Sequence, residues 1–503
     1  MLRHAINLLV SSLCLFAAAC GPSSERDNAC VGDACNTGTC KSGEKRNCYT
    51  GQKDTSGVGP CVGGQQTCQP SGQWGNCQGE VVPVAETCGD GVDNNCNGKV
   101  DEMEDADGDG YTTCGGDCCD STECSNPKDV NPGAFDVPGN GVDDDCDGMI
   151  DNTTLLCDQG LSSGTAMATD FAKAIDICQT ATMADKKWGV ISAALTLPDG
   201  NGTPDAVAHS IRAHFGSGVL PQGGVSMALL STGAAAGKGD TNPAYHDFVS
   251  YTGTKSSGFP ADFLMANNGS LPNAPGCPDP GGTTANDPVM LTLTVRVPSN
   301  AHSFSIKSNF FSAEFPEWTC SAYNDFFVIL LDSMYTGSPA NPMDKNLAFY
   351  TAPGTTNNYP VGVNLAFGNT GLFTQCVNGS TGCSGVSGNI STCVGTAELM
   401  QTGFDDPDPY ECDTNSLKGG GTGWLTTSGN VVPGEIIKLR IAIWDTSDHA
   451  YDSLAVIDAF TWSVDSSQPG TVILRSDQPT NPAAVDSVRV PTPPTSSSAL
   501  SPR

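Results

Sequence analysis

Asp105, Asp107 and Asp109 alternate with Ala106 and Gly108 and run into Gly110 and Tyr111. Carboxylates at positions 1, 3 and 5, a glycine at 6 and a backbone carbonyl at 7 reproduce the first half of an EF-hand loop, whose oxygens converge on calcium while the glycine permits the sharp turn. The second half departs from that pattern. Position 12 is Gly116 instead of glutamate, and no amphipathic helix flanks the loop. Asp117 and Asp120 are placed to close the ligand shell.

An internal repeat brackets this loop at an offset of fifty residues. Gly91-Val92-Asp93-Asn94-Asn95-Cys96-Asn97-Gly98 recurs as Gly141-Val142-Asp143-Asp144-Asp145-Cys146-Asp147-Gly148, and Val100-Asp101 recurs as Ile150-Asp151. Asn and Asp alternating with Gly suit loops whose side-chain oxygens converge on one ion. Asp93, Asn95, Asn97 and Asp101 in the first copy and Asp143, Asp145, Asp147 and Asp151 in the second therefore join the candidate ligands. The metal expected is calcium before copper or zinc. No histidine stands between His4 and His209, the cysteines are expected to be bridged, and hard oxygens remain. Residues 81–152 carry too little apolar surface to offset their ordering entropy by burial, so ligation and disulfides must hold them.

The totals bound what surrounds this segment. A net charge of -32 with 23 Lys and Arg excludes a nucleic-acid partner, because phosphate binding needs basic surface. The 24 cysteines in 503 residues indicate export. Met1 to His4 is a short basic start, Ala5 to Phe16 is apolar, and Ala17-Ala18-Ala19-Cys20 is a small-residue cleavage site. This resembles a bacterial lipoprotein signal, with residues 1–19 removed and a lipid on Cys20 as the membrane anchor. The other reading is simple secretion after Ala19. Cysteine parity favours the lipid, since setting aside Cys14 and Cys20 leaves 22 thiols, enough for eleven bridges. Gly21 after the lipid cysteine points to the outer membrane or cell surface.

Residues 20–34 read as a tether and 35–80 as a disulfide-rich module closed by about three bridges among Cys35, Cys40, Cys48, Cys61, Cys68 and Cys77. Cys88 is expected to close on Cys96, and Cys146 on one of Cys114, Cys118, Cys119 and Cys124. The acidic repeat resembles the MopE-type metal-binding repeat of secreted proteins and lipoproteins of myxobacteria and their relatives, over roughly Cys61 to Asp151. Some members of that group are linked to copper through His and modified Trp, which this segment lacks.

Elements must then present the acidic segment. Ala166, Phe171, Ala174, Ile175 and Cys178 fall at helical spacing, predicting a helix within 152–188, and Cys157 can staple to Cys178. Beyond Trp188 the period becomes two. Leu291 to Val297, Phe304 to Phe310 and Ile437 to Ile443 alternate, while Phe326 to Leu331 and Leu454 to Trp462 are continuous apolar runs. The fold class predicted is mainly β: a disulfide-rich, calcium-loop N-terminal region, then an antiparallel jelly-roll-like β-sandwich over 153–470 and a disordered tail over 471–503.

Trp188-Gly189-Val190, Gly223-Gly224 and Ser231-Thr232-Gly233 resemble the start of a choice-of-anchor L domain. Phe311 to Glu317 with Tyr323-Asn324-Asp325 is similar to the family's most distinctive stretch, as are Val432 to Glu435, Ala442 to Asp445, Asp448, Tyr451 to Ser453 and Ile457-Asp458. The resemblance implies a β-sandwich and an exported location, and no established reaction. Cys277, Cys320, Cys376, Cys383, Cys393 and Cys412 suffice for three bridges within it.

Glu314, Asn324, Asp325, Asp445 and Asp452 form a possible second metal site in the sandwich, or paired carboxylates for glycoside cleavage. Catalysis otherwise finds little support. Ser226 lacks the second glycine of a nucleophile elbow, no HExxH occurs, and His209 and His214 are spaced for different faces. The function expected is a lipid-anchored surface protein, with a calcium-stabilised spacer presenting a non-catalytic sandwich to an extracellular polysaccharide or protein ligand. The alternative is a secreted hydrolase of polysaccharide or peptide.

Overall fold

The computed structural model describes residues 30–31, 35, 38–84, 86–101, 105–121, 124–152, 156–250, 253–408, 412 and 417–473. The expected signal, Cys20 and the tail beyond 473 lie outside them. Two compact units result, one of residues 1–104 with 112–115, the other of 105–111 with 116–503.

In the first unit, strands β1 (Cys30–Val31), β2 (Lys45–Tyr49) and β3 (Gly64–Thr67) form a small sheet, with β1 and β2 parallel. Cys30 and Val31 thus belong to the fold, inside the stretch expected to be a tether. Apolar residues are so few that the buried clusters are Cys30, Cys35 and Cys48, and Tyr49 with Cys61 and Cys96. Cystines therefore take the place of a core. The bridges are Cys30–Cys35, Cys40–Cys68, Cys48–Cys77, Cys61–Cys96 and Cys88–Cys114. Two expectations are corrected. Cys88 does not close on Cys96, and the module does not close on itself at residue 80. Cys96 is buried facing Cys61, so the link that spacing suggested within one loop instead ties the loop to the knot.

The second unit contains helices α1 (Ala168–Lys173) and α2 (Ala261–Ala266) and the remaining strands. These are β4 (Gly189–Thr196), β5 (His209–Arg212), β6 (Met227–Ser231), β7 (Ser256–Ser257), β8 (Ala285–Arg296), β9 (Ser303–Ser312) and β10 (Phe326–Asp332). Two short hairpins follow, β11 (Phe349–Thr351) with β12 (Asn358–Pro360) and β13 (Gly379–Thr381) with β14 (Asn389–Ser391). The chain then forms β15 (Gly420–Asn430), β16 (Ile436–Asp445), β17 (Ser453–Ser463) and β18 (Gly470–Ile473).

One sheet runs β10-β16-β8-β4 with β7 beside β8, and the other β18-β15-β9-β17-β6-β5, all antiparallel. The long strands β8, β9, β10, β15, β16 and β17 alternate between the sheets in chain order, the crossing pattern of a jelly roll. Val289, Leu291, Leu293, Ile441 and Ile443 of one sheet and Phe304, Ile306, Phe310, Leu425 and Ile457 of the other share one buried cluster, so the sheets pack face to face. The outer face of the first sheet is covered as well, with Ala442 and Trp444 against Phe259 and Phe263 at α2.

Four departures from expectation have local causes. The helix within 152–188 is only Ala168–Lys173, because Asp176 takes φ 71° and turns the chain. A second helix, α2, is too short for periodicity to reveal. Gly470 to Ile473 pair with β15, so the tail begins after them. The segment expected to be a spacer lies on the sandwich from residue 105 onward: Asn300 Nδ2 donates to the Phe135 carbonyl at 2.9 Å, and Ser299 Oγ to Asn131 Oδ1 at 2.6 Å. Of the remaining bridges, Cys119–Cys124 is one that the sequence reading did not name, and the others agree with it. Cys146 pairs with Cys118, Cys119 with Cys124, Cys157 with Cys178, and the later six cysteines form Cys277–Cys320, Cys376–Cys393 and Cys383–Cys412.

Candidate metal centres

The acidic segment builds one turn three times. Asp105 Oδ1 accepts from the N–H groups of Gly108 at 2.6 Å and Asp109 at 3.0 Å, and its Oδ2 from Gly110 at 2.7 Å. Asp107 accepts from the Asp109 N–H at 3.0 Å and Asp109 from the Tyr111 N–H at 2.7 Å. Asp93 and Asp143 do the same: the Gly98 and Gly148 N–H groups donate to them at 2.9 and 3.0 Å, and Lys99 and Met149 donate to Asn97 and Asp147 at 2.9 and 2.8 Å. The sixth-position glycines Gly98, Gly110 and Gly148 have φ of 91°, 95° and 91°. A β-carbon would be strained at each.

Asp101 and Asp151, at φ 49° and 51°, turn their carboxylates onto the preceding loop. Asp101 accepts from Gly89 and Gly91 at 2.7 and 2.9 Å, and Asp151 from Asn140 and Gly141 at 3.0 and 3.2 Å. These two candidates therefore fix the backbone. Tyr111 is anchored by its hydroxyl, which donates to the Lys186 carbonyl at 2.8 Å.

Three groups of carboxylates converge, each offering oxygens within 4.8 Å of one another: Asp107, Asp109 and Asp117; Asp105, Asp107 and Asp120; and Asp136, Asp143 and Asp145. Oxygens sharing one calcium at about 2.4 Å lie at most about 5 Å apart. The donor set fits a hard cation, and the orphans agree: Asp107 Oδ2, Asp109 Oδ2 and Asp117 Oδ2 are buried without a hydrogen-bond partner. Burial, with the negative charge of Asp109, Asp120 and Asp107 against one Cys119 N–H, pushes Asp117 up to about 6. Asp145 is likewise pushed up to about 6 by burial and by Asp147 and Asp136. In the first copy Asn95 and Asn97 stand at the alternating positions, and among the described residues no third carboxylate joins Asp93 there.

Asp136 and its counterpart Glu86 were missed by the sequence reading. Asp136 Oδ1 accepts from the Asp144 N–H and Glu86 Oε1 from the Asn95 N–H, both at 2.8 Å. Extending the fifty-residue offset upstream from Gly91 to residue 86 would have found both.

The second candidate group divides. Carboxylate oxygens of Glu314, Asp325 and Asp445 lie within 4.8 Å of one another, and all three residues are buried. Asp452 is buried beside them, with one oxygen at 3.5 Å from the Thr232 hydroxyl. Asn324 is committed elsewhere, its Oδ1 accepting from the Asn364 N–H at 3.1 Å. His209 is buried in β5 against Phe171, whereas His214 is exposed.

Residues 230–462 match the family described as the choice-of-anchor L domain. That stretch, a little under half of the chain, is similar to the choice-of-anchor L domain. Residues 83–102 and 125–152 match the family described as "Putative metal-binding motif", of MopE type, which covers both repeat copies. No curated protein and no solved structure matches the chain. The choice-of-anchor L domain and the eleven bridges are those of an exported, cell-surface protein. Among the described residues no helix is long and apolar enough to cross a membrane.

Just before the matched stretch of the choice-of-anchor L domain, Gly223 and Gly224 are explained by acids. A β-carbon on Gly223 would stand 1.9 Å from Asp176 Oδ2, and one on Gly224 2.4 Å from Asp158 Oδ2. Asp458 of β17 accepts from the N–H groups of Gln222 at 2.5 Å and Gly223 at 3.2 Å, with Lys307 opposite it in β9. Burial pushes Asp458 up to about 7 against those bonds, with Asp176 adding to the rise. The folded chain then holds a proton that the unfolded chain has released between about pH 4 and 7, so stability falls as pH rises through that window. The slope expected is up to about 1.4 kcal/mol per pH unit. Thermal unfolding at fixed calcium should show a midpoint that drops from pH 5 to 7, and a flatter profile in Asp458→Asn. An unchanged profile in that variant would refute the assignment.

Proposed function

We propose that the chain is a lipid-anchored surface protein whose acidic segment binds and is ordered by calcium, and whose non-catalytic choice-of-anchor L sandwich is displayed for binding or adhesion. The observation that carries this reading is the set of buried, partnerless carboxylate oxygens on Asp107, Asp109 and Asp117 inside a thrice-repeated acidic turn. Asp105, Asp120, Asp136, Asp143 and Asp145 would hold further cation oxygens. Calcium is favoured over copper because every converging donor is a carboxylate. At extracellular-grade affinity the ion neutralises the loop, while the chain's own N–H groups set the turn.

A non-catalytic role is supported by burial. Glu314, Asp325, Asp445 and Asp452 are all buried, and Ser226 is buried with its hydroxyl donating to the Asp158 carboxylate at 3.2 Å. The extracellular partner would then meet the sandwich surface, and the lipid on Cys20 would hold the chain at the outer membrane or cell surface.

Calorimetry of the chelator-treated full chain should give saturable calcium binding with a dissociation constant in the range of about 10⁻⁴ to 10⁻³ M. Asp107→Asn with Asp109→Asn should weaken it at least tenfold. Tighter, saturating uptake of copper(II) with no calcium heat would overturn the assignment. Metabolic labelling with a fatty acid should be lost in Cys20→Ala, and labelling that persists would refute the anchor.

A further inference from the structure

We propose that Glu314, Asp325 and Asp445 form a second, wholly enclosed site for a divalent cation of calcium type, separate from the acidic turns, that ties the two sheets of the sandwich together. Glu314 follows the end of β9 in the six-stranded sheet, Asp325 immediately precedes β10, and Asp445 ends β16 in the other sheet. An ion held among them is bonded to both layers at once. A Glu from one sheet and two Asp from the other bring their oxygens within 4.8 Å at exposures of 2%, 0% and 2%.

Three carboxylates at such depth need a positive partner, because an uncompensated buried charge costs several kcal/mol. The chain offers none. Among the described residues no ion pair reaches Glu314, Asp325, Asp445 or Asp452. The His449 ring is taken by Asp287 at 2.8 Å, and Asp448 adds negative charge.

Hydrogen bonds do not compensate either. Glu314 Oε2 accepts only from the Asp325 N–H at 3.2 Å. Both oxygens of Asp325, Oδ1 of Asp445 and Oδ2 of Asp452 are buried without a donor: the Ser453 hydroxyl facing Asp325 completes no bond, and the Asp325 and Asp445 carboxylates can bond each other only by sharing a proton. The partnerless oxygens of Asp325 and Asp445 converge with Glu314 within 4.8 Å at full burial, a spacing that one hard cation can span. With only carboxylates in the group the ion is a hard one. Burial, then mutual repulsion, holds Glu314 and Asp445 well above the usual carboxylate range, and burial does the same to Asp325. The arrangement is therefore costly without the ion.

The test uses the full chain after chelator treatment. Trp444 adjoins Asp445, so terbium bound at this site should luminesce when excited through tryptophan. In a variant carrying Asp107→Asn, Asp109→Asn, Asp143→Asn and Asp145→Asn, which disables every converging group of the acidic turns, calcium should still raise the midpoint of sandwich unfolding and compete with the terbium signal. Adding Glu314→Gln or Asp325→Asn should abolish both effects, with at least a tenfold loss of affinity. In chelator Glu314→Gln should be at least as stable as the unsubstituted chain, because it removes a repelling charge without changing shape. If Asp325→Asn fails to fold, Glu314→Gln and the metal content of the purified chain, one ion fewer per molecule, decide alone. A calcium shift and terbium signal unaltered by Glu314→Gln would overturn the proposal, as would their absence from the acidic-turn variant. Loss of calcium binding at the turn alone bears on the acidic segment and leaves this site standing.

Discussion

Trp444→Ala is expected to lower the free energy of unfolding by about 3–5 kcal/mol, the range for deleting a large buried aromatic. Its indole is fully buried on the covered outer face of the five-stranded sheet, with ring centroids 6.0 Å from Phe326, 5.7 Å from Phe259 and 6.3 Å from Phe263. The Nε1 atom has no hydrogen-bond partner, so truncation strands no polar group and the loss is one of packing. The cavity would lie between α2 and a sheet whose backbone is fixed by its ladder, which leaves little freedom to collapse. Denaturant unfolding should show a lower midpoint at an unchanged slope. A loss below about 1 kcal/mol would mean that the α2 segment does not seal this face.

The double replacement of Cys118 and Cys146 by Ser is expected to loosen the acidic segment by about 3–4 kcal/mol, the chain-entropy value for a closed loop of this length. The bridge spans 28 residues and joins the neighbourhood of Asp117 and Asp120 to the second repeat copy. Among the described residues between its ends, the buried apolar side chains are Cys119, Val130 and Ala134. Part of that loss should appear in metal affinity, since the carboxylates would have to be gathered by the ion itself. Each 1.4 kcal/mol is a factor of ten, so calcium should bind at least tenfold more weakly. Replacing Cys376 and Cys393, which close a 17-residue loop in the sandwich, should leave calcium affinity unchanged. Equal affinity in the Cys118 and Cys146 variant would show that the acidic turns are organised without the bridge.

The sandwich was legible where side chains alternate. Leu291 to Val295 and Ile437 to Ile443 lie in β8 and β16, which pair Leu291 with Ile441 and Leu293 with Leu439. Strand β15 was not legible, because Gly420-Gly421-Thr422-Gly423 carries no hydrophobic period. Its place follows from close approach: a β-carbon on Gly421 would stand 2.7 Å from Phe311. Disulfide partners were legible only where few choices remained. Cys157 with Cys178 needed no long-range information, whereas Cys61 with Cys96 depends on how two loops meet.

Most of the acidic site could be read directly, since Asp at alternating positions before Gly states the turn. What stayed hidden was that the flanking copies make the same turn, with Asn for Asp in the first, and that Asp101 and Asp151 serve the backbone. In the sandwich, sequence named Glu314, Asp325 and Asp445 but also Asn324. The Asn364 N–H that claims Asn324 is 40 residues away, beyond any local pattern.

Hydrogen exchange of the oxidised full chain, with and without calcium, tests the central claim most directly. The account predicts slowed exchange of the Gly108, Asp109, Gly110 and Tyr111 amides and of Asp147 and Gly148 when calcium is added, because those N–H groups donate to the carboxylates that hold the ion. Identical exchange at these amides up to millimolar calcium would contradict it, and would leave an acidic segment held by its disulfides alone.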